Sequence, residues 1–356
     1  MEKSMDSTTI REELQHQRRK VDFDNYDLTV DELIRRVFLK RIEISPSYQR
    51  QFRWDSERQS SLIESLLLGI PVPNLFMATN SSEDMGVQWE IVDGLQRTLS
   101  LVSFAGTEEQ RQSVKVLDKP LRIQGLQKLE SINGLTFDEL PIDVQQLLLD
   151  RPVKITVLND KSDKQVRFDL FERLNTGGIT LTAQEVRECI FRGKFIDMLQ
   201  DLSQYPSFKQ VVKLPKAKEK DGTLQEYVLR FFAFHDRYFS FDHSVKDFLN
   251  EYTDWASSNI KQANQWERLF KITFDFLAKC FPDGITRSRS TTPVNYYEGV
   301  AVGASLALER NPSLQPSTHQ NWTKDQEFIN AVIGATNSAP KVRRRIEWAR
   351  DGFLNS

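Results

Sequence analysis

The segment from Trp89 to Arg97 combines the residue types that bind phosphate groups. Its pattern predicts a strand that ends at Asp93, a turn at Gly94, and a helix start that carries Gln96 and Arg97. The backbone amides and dipole of a helix start attract anions, and an arginine can bind two phosphate oxygens at once. Asp93 can hold a hydrated divalent cation or orient a water molecule. Because Asp-Gly turns are common, the same residues also fit an ordinary capped helix with a surface arginine.

A second segment, Tyr48 to Trp54, sets Gln49, Arg50 and Arg53 among three aromatic side chains. Arginines beside aromatic rings suit stacking on a nucleobase combined with contacts to phosphate. The same residues also fit a simpler arrangement, in which the aromatic side chains anchor the core and the arginines are solvated. For each aromatic side chain taken alone, the core position is the better interpretation.

A third segment begins with Phe171 and Glu172 and contains Asn175, Gly177 and Gly178 before a helix start. Paired glycines allow a ligand to lie against the backbone, because no side chain stands in the way. Glycines also end many helices as ordinary C-caps. The segment therefore supports a functional prediction only in combination with the other two.

Short strands and amphipathic helices must position these segments. Strands are predicted near residues 41–44, 74–78, 87–92 and 153–158, and a helix is predicted from about residue 96 to residue 104. Three capping boxes mark further helix starts: Thr29 with Glu32, Ser56 with Gln59, and Thr182 with Glu185. Gly69 and Pro71 end the helix that starts at Ser56.

The pattern of the sequence changes along the chain. Up to about residue 195 it mixes strands and helices, and beyond that point it consists of helical segments rich in aromatic residues. We therefore predict an N-terminal arm over residues 1–29, a mixed domain over residues 30–200 and a helical domain over residues 201–356.

The composition excludes several classes of protein. With 48 basic and 50 acidic residues, the net charge of −2 excludes a uniformly basic DNA-coating protein, while local basic patches remain open. No apolar run has the length of a transmembrane helix or a signal peptide, so we expect a cytoplasmic protein with no membrane partner. Cys189 and Cys280 stand alone, which excludes a disulfide framework and a cysteine zinc site.

In their order, the segments resemble the N-terminal domain of GmrSD-type restriction endonucleases, also called domain of unknown function 262. That family shows a Tyr-Gln-Arg segment followed by Trp, a Gly-x-Pro-x-Pro turn, an Asp-Gly-x-Gln-Arg box, and a Phe-Glu-x-x-Asn-x-Gly segment followed by Leu-Thr. The matching residues here are Tyr48, Gln49, Arg50, Trp54; Gly69, Pro71, Pro73; Asp93, Gly94, Gln96, Arg97; and Phe171, Glu172, Asn175, Gly177, Gly178, Leu181, Thr182. The likeness covers roughly residues 30 to 195.

The resemblance implies an α+β fold similar to the ParB and sulfiredoxin group. A small mixed sheet flanked by helices would hold the Asp-Gly-x-Gln-Arg box in the phosphate-binding position, and a mostly α-helical region would follow. Family members are associated with nucleoside triphosphate hydrolysis and with defence against foreign or modified DNA, and they often carry or accompany an HNH-type nuclease. This chain differs from many members at Leu95, where they have a second glutamine.

The resemblance also implies roles for individual residues in a metal-dependent NTPase that controls a DNA-directed defence activity. Mg²⁺ is the expected cofactor, and a nucleoside triphosphate and DNA are the expected partners. Arg97, Gln96 and the helix start at Gly94 would hold phosphates, while Asp93 would hold the metal or position water. Glu172 is a second candidate for metal or water, and the remaining predicted nucleotide-binding residues are Tyr48, Gln49, Arg50, Asn175, Gly177 and Gly178.

Two other functions remain open at this stage. The first is a non-enzymatic DNA-binding or scaffold protein that uses the ParB-like unit without turnover. The second is direct nuclease action, in which Asp93 and Glu172 share a metal ion. A built-in HNH nuclease is not expected, because His16, His235, His243 and His319 are scattered, and any such nuclease would be a separate partner protein.

A basic cluster near the C-terminus is the candidate DNA-binding surface. Lys341, Arg343, Arg344, Arg345 and Arg350 lie within ten residues of one predicted helix. Helical spacing predicts that the arginines at 344 and 345 share an outer face, while apolar residues of the same helix turn to the core. We predict DNA contacts for Arg343, Arg344 and Arg345, although a solvated helix face is the more common explanation of such a cluster.

Overall fold

The computed structural model describes residues 11, 22–44, 54–82, 86–114, 119–159, 168, 170, 173, 182–219, 221–286, 291–334 and 336–355. The chain divides into two units, residues 1–180 and residues 181–356. The sequence pattern predicts that the boundary between the mixed domain and the helical domain lies near residue 200. The units divide earlier because the helix that follows Thr182 uses its buried Arg187 to bind Asn250 and Glu226, which belong to the second unit.

The first unit contains a mixed five-stranded sheet within the described residues, in the order β1-β5-β3-β4-β2. The strands are β1 (Phe23–Thr29), β2 (Ile42–Glu43), β3 (Leu75–Ser82), β4 (Gly86–Asp93) and β5 (Pro152–Leu158). Strand β3 runs parallel to β5 and antiparallel to β4, while β1 pairs antiparallel with β5 and β2 pairs parallel with β4. Apolar side chains of β3 and β5, including Leu75, Met77, Val153 and Ile155, are buried in the core of this unit.

Strand β1 corrects the prediction that residues 1–29 form an arm outside the domain. All seven of its residues pair with β5, from Phe23 opposite Leu158 to Thr29 opposite Pro152. The sequence pattern missed this strand because only Leu28 is buried, so apolar and polar residues do not alternate along it. Residues 23–29 therefore belong to the sheet of the first unit.

The helices of the first unit are α1 (Val30–Phe38), α2 (Ser56–Leu67), α3 (Leu95–Ala105), α4 (Glu108–Gln112) and α5 (Ile142–Leu149). The Thr29 hydroxyl caps α1 by accepting a hydrogen bond from the Glu32 amide, as the sequence predicts. Helix α2 begins at Ser56, but its cap is Asp55, whose carboxylate accepts from the Arg58 amide at 2.8 Å. The predicted cap at Ser56 is therefore wrong by one residue.

The second unit is helical throughout its described residues. Its helices are α6 (Ala183–Ile190), α7 (Lys194–Ser203), α8 (Pro206–Val211), α9 (Thr223–Arg237), α10 (Val245–Ser258), α11 (Ala263–Cys280), α12 (Val294–Arg310), α13 (Gln326–Val332) and α14 (Ala339–Leu354). Its core is built around buried aromatic side chains, among which Phe208, Phe231, Phe270 and Phe274 meet mainly at tilted or edge-to-face angles. Among the described residues, no helix has both the length and the apolar character needed to span a bilayer. The predicted α+β class, with a mixed sheet followed by helices, is confirmed.

Candidate functional site

The candidate site lies where β4 ends and α3 begins. The pairing of β3 with β4 shifts register between Phe76 and Met77, which places Asp93 opposite Phe76 at the end of the sheet. Gly94 then reverses the chain with φ of 100°. A residue with a Cβ atom is strained in this conformation, whereas glycine adopts it readily. A Cβ at Gly94 would lie 2.2 Å from a methyl carbon of the buried Leu75, so the turn also needs a residue without a side chain.

The Arg97 side chain connects the backbone just before β3 to the Asp93 side chain at the end of β4. Its Nη2 donates to Asp93 Oδ2 at 2.5 Å, and its Nη1 donates to the Asn74 carbonyl at 3.2 Å and to the Pro73 carbonyl. The Arg97 side chain is 12% exposed, whereas Asp93 is 40% exposed. Arg97 therefore lies inside the turn and Asp93 faces solvent.

Arg97 remains a cation at this position. Burial lowers the pKa of its guanidinium, and the charge of Asp93 with its hydrogen bond opposes that change. The guanidinium stays protonated because the ordinary pKa of an arginine is so high. Among the described residues, Asp93 Oδ1 accepts no recorded hydrogen bond, so one carboxylate oxygen is available to a ligand.

Gln96 holds the end of the Tyr48 to Trp54 segment against α3. The Trp54 amide donates to Gln96 Oε1 at 3.1 Å, and Gln59 Nε2 donates to the Trp54 carbonyl at 2.9 Å. The Arg58 guanidinium lies over the Trp54 ring, 4.8 Å from its centre. The two sequence motifs are therefore joined at Trp54, although 42 positions separate this residue from Gln96.

Three of the four motif segments thus meet at Gln96 and Arg97. Trp54 ends the first motif, Pro73 ends the Gly-x-Pro-x-Pro turn, and the Asp-Gly-x-Gln-Arg box supplies the side chains that bind both. The carbonyls of Pro73 and Asn74 have a role that the sequence reasoning did not assign. A proline-rich turn just before a strand leaves carbonyls without ladder partners, and this is the signal that could have found them.

Comparison with known protein families agrees with this geometry. Residues 33–192 match the family model of the GmrSD restriction endonuclease, N-terminal domain. We call this segment the GmrSD-type domain, after the family model that it matches. The match confirms the resemblance seen in the motifs, includes Asp93 to Arg97, and points to a restriction-type defence protein that acts on DNA. No curated protein matches the chain.

Several predicted residues of the GmrSD-type domain lie outside the described part of the chain. These are Tyr48, Gln49, Arg50, Glu172, Asn175, Gly177 and Gly178, whose roles remain predictions. The fourth motif enters the described residues again at Thr182. There the predicted capping box is confirmed, because Thr182 and Glu185 each bind the other's amide.

The described residues contain no group of three or more His, Cys, Asp or Glu side chains arranged to hold a metal ion. Mg²⁺ in nucleotide sites needs fewer protein ligands, because phosphate oxygens and water molecules complete its octahedral shell. Asp93, partly exposed and with one oxygen available, fits that smaller requirement. The donor set is therefore compatible with magnesium bound together with a phosphate ligand.

The second candidate site, the basic cluster of α14, requires a correction at Arg345. This side chain is fully buried: it forms an ion pair with the buried Glu298, and its Nη1 donates to the Thr336 carbonyl at 2.8 Å. The predicted contact of Arg345 with DNA is wrong for this structure, because no part of the side chain reaches solvent. The inner face of α14 is wider than the sequence predicts: its buried residues are Val342, Arg345, Ile346, Ala349 and Phe353.

The other two arginines that were predicted to contact DNA are exposed. Arg343 Nη2 donates to the Phe239 carbonyl at 2.6 Å, and Arg344 forms an exposed ion pair with Glu327. Arg343 therefore keeps an unneutralised charge at the surface, since its recorded partner is a carbonyl. The DNA-binding prediction remains open for these two residues.

Proposed function

We propose that the GmrSD-type domain binds a nucleoside triphosphate at the start of α3 and hydrolyses it with Mg²⁺, and that this cycle controls a DNA-directed defence activity. The observation that supports the proposal is the meeting of three motif segments at Gln96 and Arg97. An arrangement that collects distant segments around one arginine and one partly exposed carboxylate suits a ligand site better than a simple helix cap.

The Asp93–Arg97 pair is suited to exchange partners. Arg97 is the phosphate ligand in this proposal, and a phosphate that takes the place of Asp93 at Nη2 gains a charge-assisted hydrogen bond. Asp93 is then free to hold Mg²⁺ or to orient the attacking water molecule. The bound ion supplies neutralisation of the charge that develops on the phosphate oxygens.

The remaining residues complete the proposed pocket. Tyr48, Gln49 and Arg50 precede Trp54, which Gln96 binds, and these three residues are proposed to contact the nucleotide from the opposite side. Glu172 is proposed as a second ligand for metal or water, and Asn175, Gly177 and Gly178 are proposed to line the floor. These seven assignments come from the family resemblance.

Nucleotide binding by the Arg97→Ala protein tests the pocket. Loss of a charge-assisted contact costs about 1.5–3 kcal/mol, so we expect triphosphate affinity to fall by about one to two decades. Arg122→Ala is the matched control, because Arg122 also binds a backbone carbonyl and a carboxylate, those of Gly134 and Glu139, away from the motifs. Unchanged affinity in a folded Arg97→Ala protein would contradict the assignment.

Phosphate release tests hydrolysis. We would measure release from each of the four triphosphates, with and without magnesium and DNA, for the unmodified chain and for Asp93→Asn. The substitution keeps the shape of the side chain and removes its charge, so turnover is expected to disappear while the melting temperature barely changes. Turnover at the original rate would move the catalytic role to Glu172. Binding without turnover would favour a scaffold, and plasmid cleavage by the protein alone would favour a nuclease.

A further inference from the structure

A cleft of about 510 Å³ opens in the second unit, along one face of α9. Its volume is in the range of sites that bind small molecules. Leu214, Pro215 and Val294 form an apolar part of its wall, and the rest of the lining is polar and includes four charged side chains. A ligand that fills it must therefore carry an apolar portion together with hydrogen-bonding or charged groups.

The charged floor of the cleft consists of Glu226 and Arg230. Arg230 binds Glu226 Oε1 through Nε at 2.9 Å and Nη2 at 2.8 Å, and Arg187 Nη1 lies 3.2 Å from Glu226 Oε2. The Glu226 and Arg230 side chains are 23% and 14% exposed, whereas Arg187 is 1% exposed. The cleft is thus the point at which a buried set of charges reaches solvent.

This buried set, which we call the charge network, continues behind the floor. Arg230 Nη1 binds Glu298 at 2.6 Å, and the second oxygen of Glu298 binds Arg345. The network contains three arginines and two glutamates, and Asp247 adds a further negative charge near Arg187. The recorded hydrogen bonds at its two ends go to neutral acceptors, Asn250 Oδ1 at Arg187 and the Thr336 carbonyl at Arg345.

Two further charged side chains line the cleft, and their surroundings differ. The Asp221 carboxylate already accepts hydrogen bonds from the amide of Thr223 at 3.1 Å and from its hydroxyl at 2.5 Å. Lys218 is exposed and has no carboxylate partner among the described residues. One oxygen of Asp221, Oδ1, is thus held by Thr223, while the ammonium group of Lys218 is available to a ligand.

We propose that this cleft binds a small phosphorylated ligand of mononucleotide size, with its phosphate on Lys218 and its ring against the apolar wall. Lys218 supplies the positive charge for the phosphate, and Leu214, Pro215 and Val294 supply the apolar surface for the ring. The site lies wholly within the second unit. The residues described at the proposed triphosphate site do not line this cleft, and the proposal does not depend on that site.

Calorimetric titration of the full chain with nucleoside monophosphates tests the proposal, with the corresponding nucleosides as neutral probes. Lys218→Gln is expected to weaken monophosphate binding about tenfold, which is the effect of one lost charge-assisted contact. Lys216→Gln is the matched control, because Lys216 lies on the same short 3₁₀ helix and does not line the cleft. The affinity of the Lys216→Gln protein for nucleoside monophosphates is expected to remain unchanged.

Repeating the titration in Arg97→Ala separates the two sites. Monophosphate binding that is unchanged in Arg97→Ala and about tenfold weaker in Lys218→Gln supports the cleft, even if triphosphate binding at Arg97 is never found. Inorganic phosphate is expected to compete, since Lys218 contacts the phosphate group. Equal affinity for nucleosides and monophosphates, equal effects of Lys216→Gln and Lys218→Gln, or no binding at all would overturn the proposal.

Discussion

Arginine–carboxylate pairs occur in both units of this protein, and they differ in how much of each pair meets solvent. In the first unit, Arg97 is held inside the turn while Asp93 is 40% exposed, with one carboxylate oxygen unbonded among the described residues. In the second unit, Glu298 and Arg345 are at most 1% exposed, and every recorded partner is part of the protein. An exposed carboxylate can exchange its arginine for a ligand at little cost. A buried pair cannot, because removal of one partner leaves an uncompensated charge in the core.

The difference also separates two uses of arginine in one chain. Arg97 binds two carbonyls and one carboxylate beside the start of α3. These contacts position the helix start for a ligand. The arginines of the charge network lie on α6, α9 and α14 and bind carboxylates on α9 and α12, and so they connect helices that are distant in sequence. We therefore expect substitutions in the network to affect stability most, and substitutions near Arg97 to affect binding most.

The largest expected effect is the loss of Glu298. Glu298→Ala leaves Arg230 and Arg345 without this carboxylate in the core, and such a change costs about 3–5 kcal/mol. Urea unfolding measures the loss. Glu327→Ala, which breaks the exposed pair with Arg344, is the control and should cost at most about 1 kcal/mol. Equal costs for the two variants would remove the distinction between the buried and the exposed pairs.

A smaller loss of stability is expected at Gly94. Gly94→Ala must adopt a φ near 100° and place a methyl group against Leu75, and such strain costs about 1–3 kcal/mol. Gly134→Ala is the matched control, because Gly134 has φ of 87° and open space around the added Cβ. The difference in unfolding free energy between the variants isolates the Leu75 contact. No difference would mean that the turn relaxes freely.

A pH-dependent effect is expected from His235, another charge buried in the helical unit. Burial lowers its pKa, but hydrogen bonds and ion pairs with Asp236 and Glu309 outweigh that effect and raise the pKa to about 9. A raised histidine pKa stabilises the fold below the unfolded value of about 6.5, and the contribution disappears as pH rises through 9.

Melting temperatures of His235→Gln across this pH range test the effect. The gap from the unmodified protein should be widest below pH 6.5 and should close above pH 9. His243→Gln, at an exposed histidine, should melt with the unmodified protein at each pH. A gap that stays constant with pH would show that His235 acts through packing alone.

The smallest expected effect concerns the exposed arginines of α14. If Arg343 and Arg344 contact DNA, replacing both with glutamine should flatten the dependence of log affinity on log salt by nearly two units of slope, about 0.9 for each phosphate contact. Arg345 stays unchanged in this variant because its loss would damage the core. Binding titrations with duplex DNA at several salt concentrations measure the slope. An unaltered slope would show that the two arginines are only solvated.

Local chemistry was enough to predict much of the first unit. The predicted strands at 74–78, 87–92 and 153–158 correspond to β3, β4 and β5, because buried central strands carry clear apolar patterns. The helix start at Thr182 was also predictable, since a capping box uses residues only three positions apart. Strand β1 was not predictable, because an exposed edge strand lacks that pattern and is defined by its pairing with β5.

The features of the candidate site also fall into those that the sequence predicts and those that depend on distant contacts. The sequence by itself determined the Asp-Gly turn, the helix that follows it and the presence of Arg97, because these depend on neighbouring residues. Only the tertiary structure brought Trp54 to Gln96 and Pro73 to Arg97, since hydrogen bonds between distant segments leave no periodic signal. It also decided that Arg345 lies in the core while Arg343 and Arg344 face solvent. Helical spacing orders the residues around α14, but the position of Glu298 on α12 determines which arginine the core can accept.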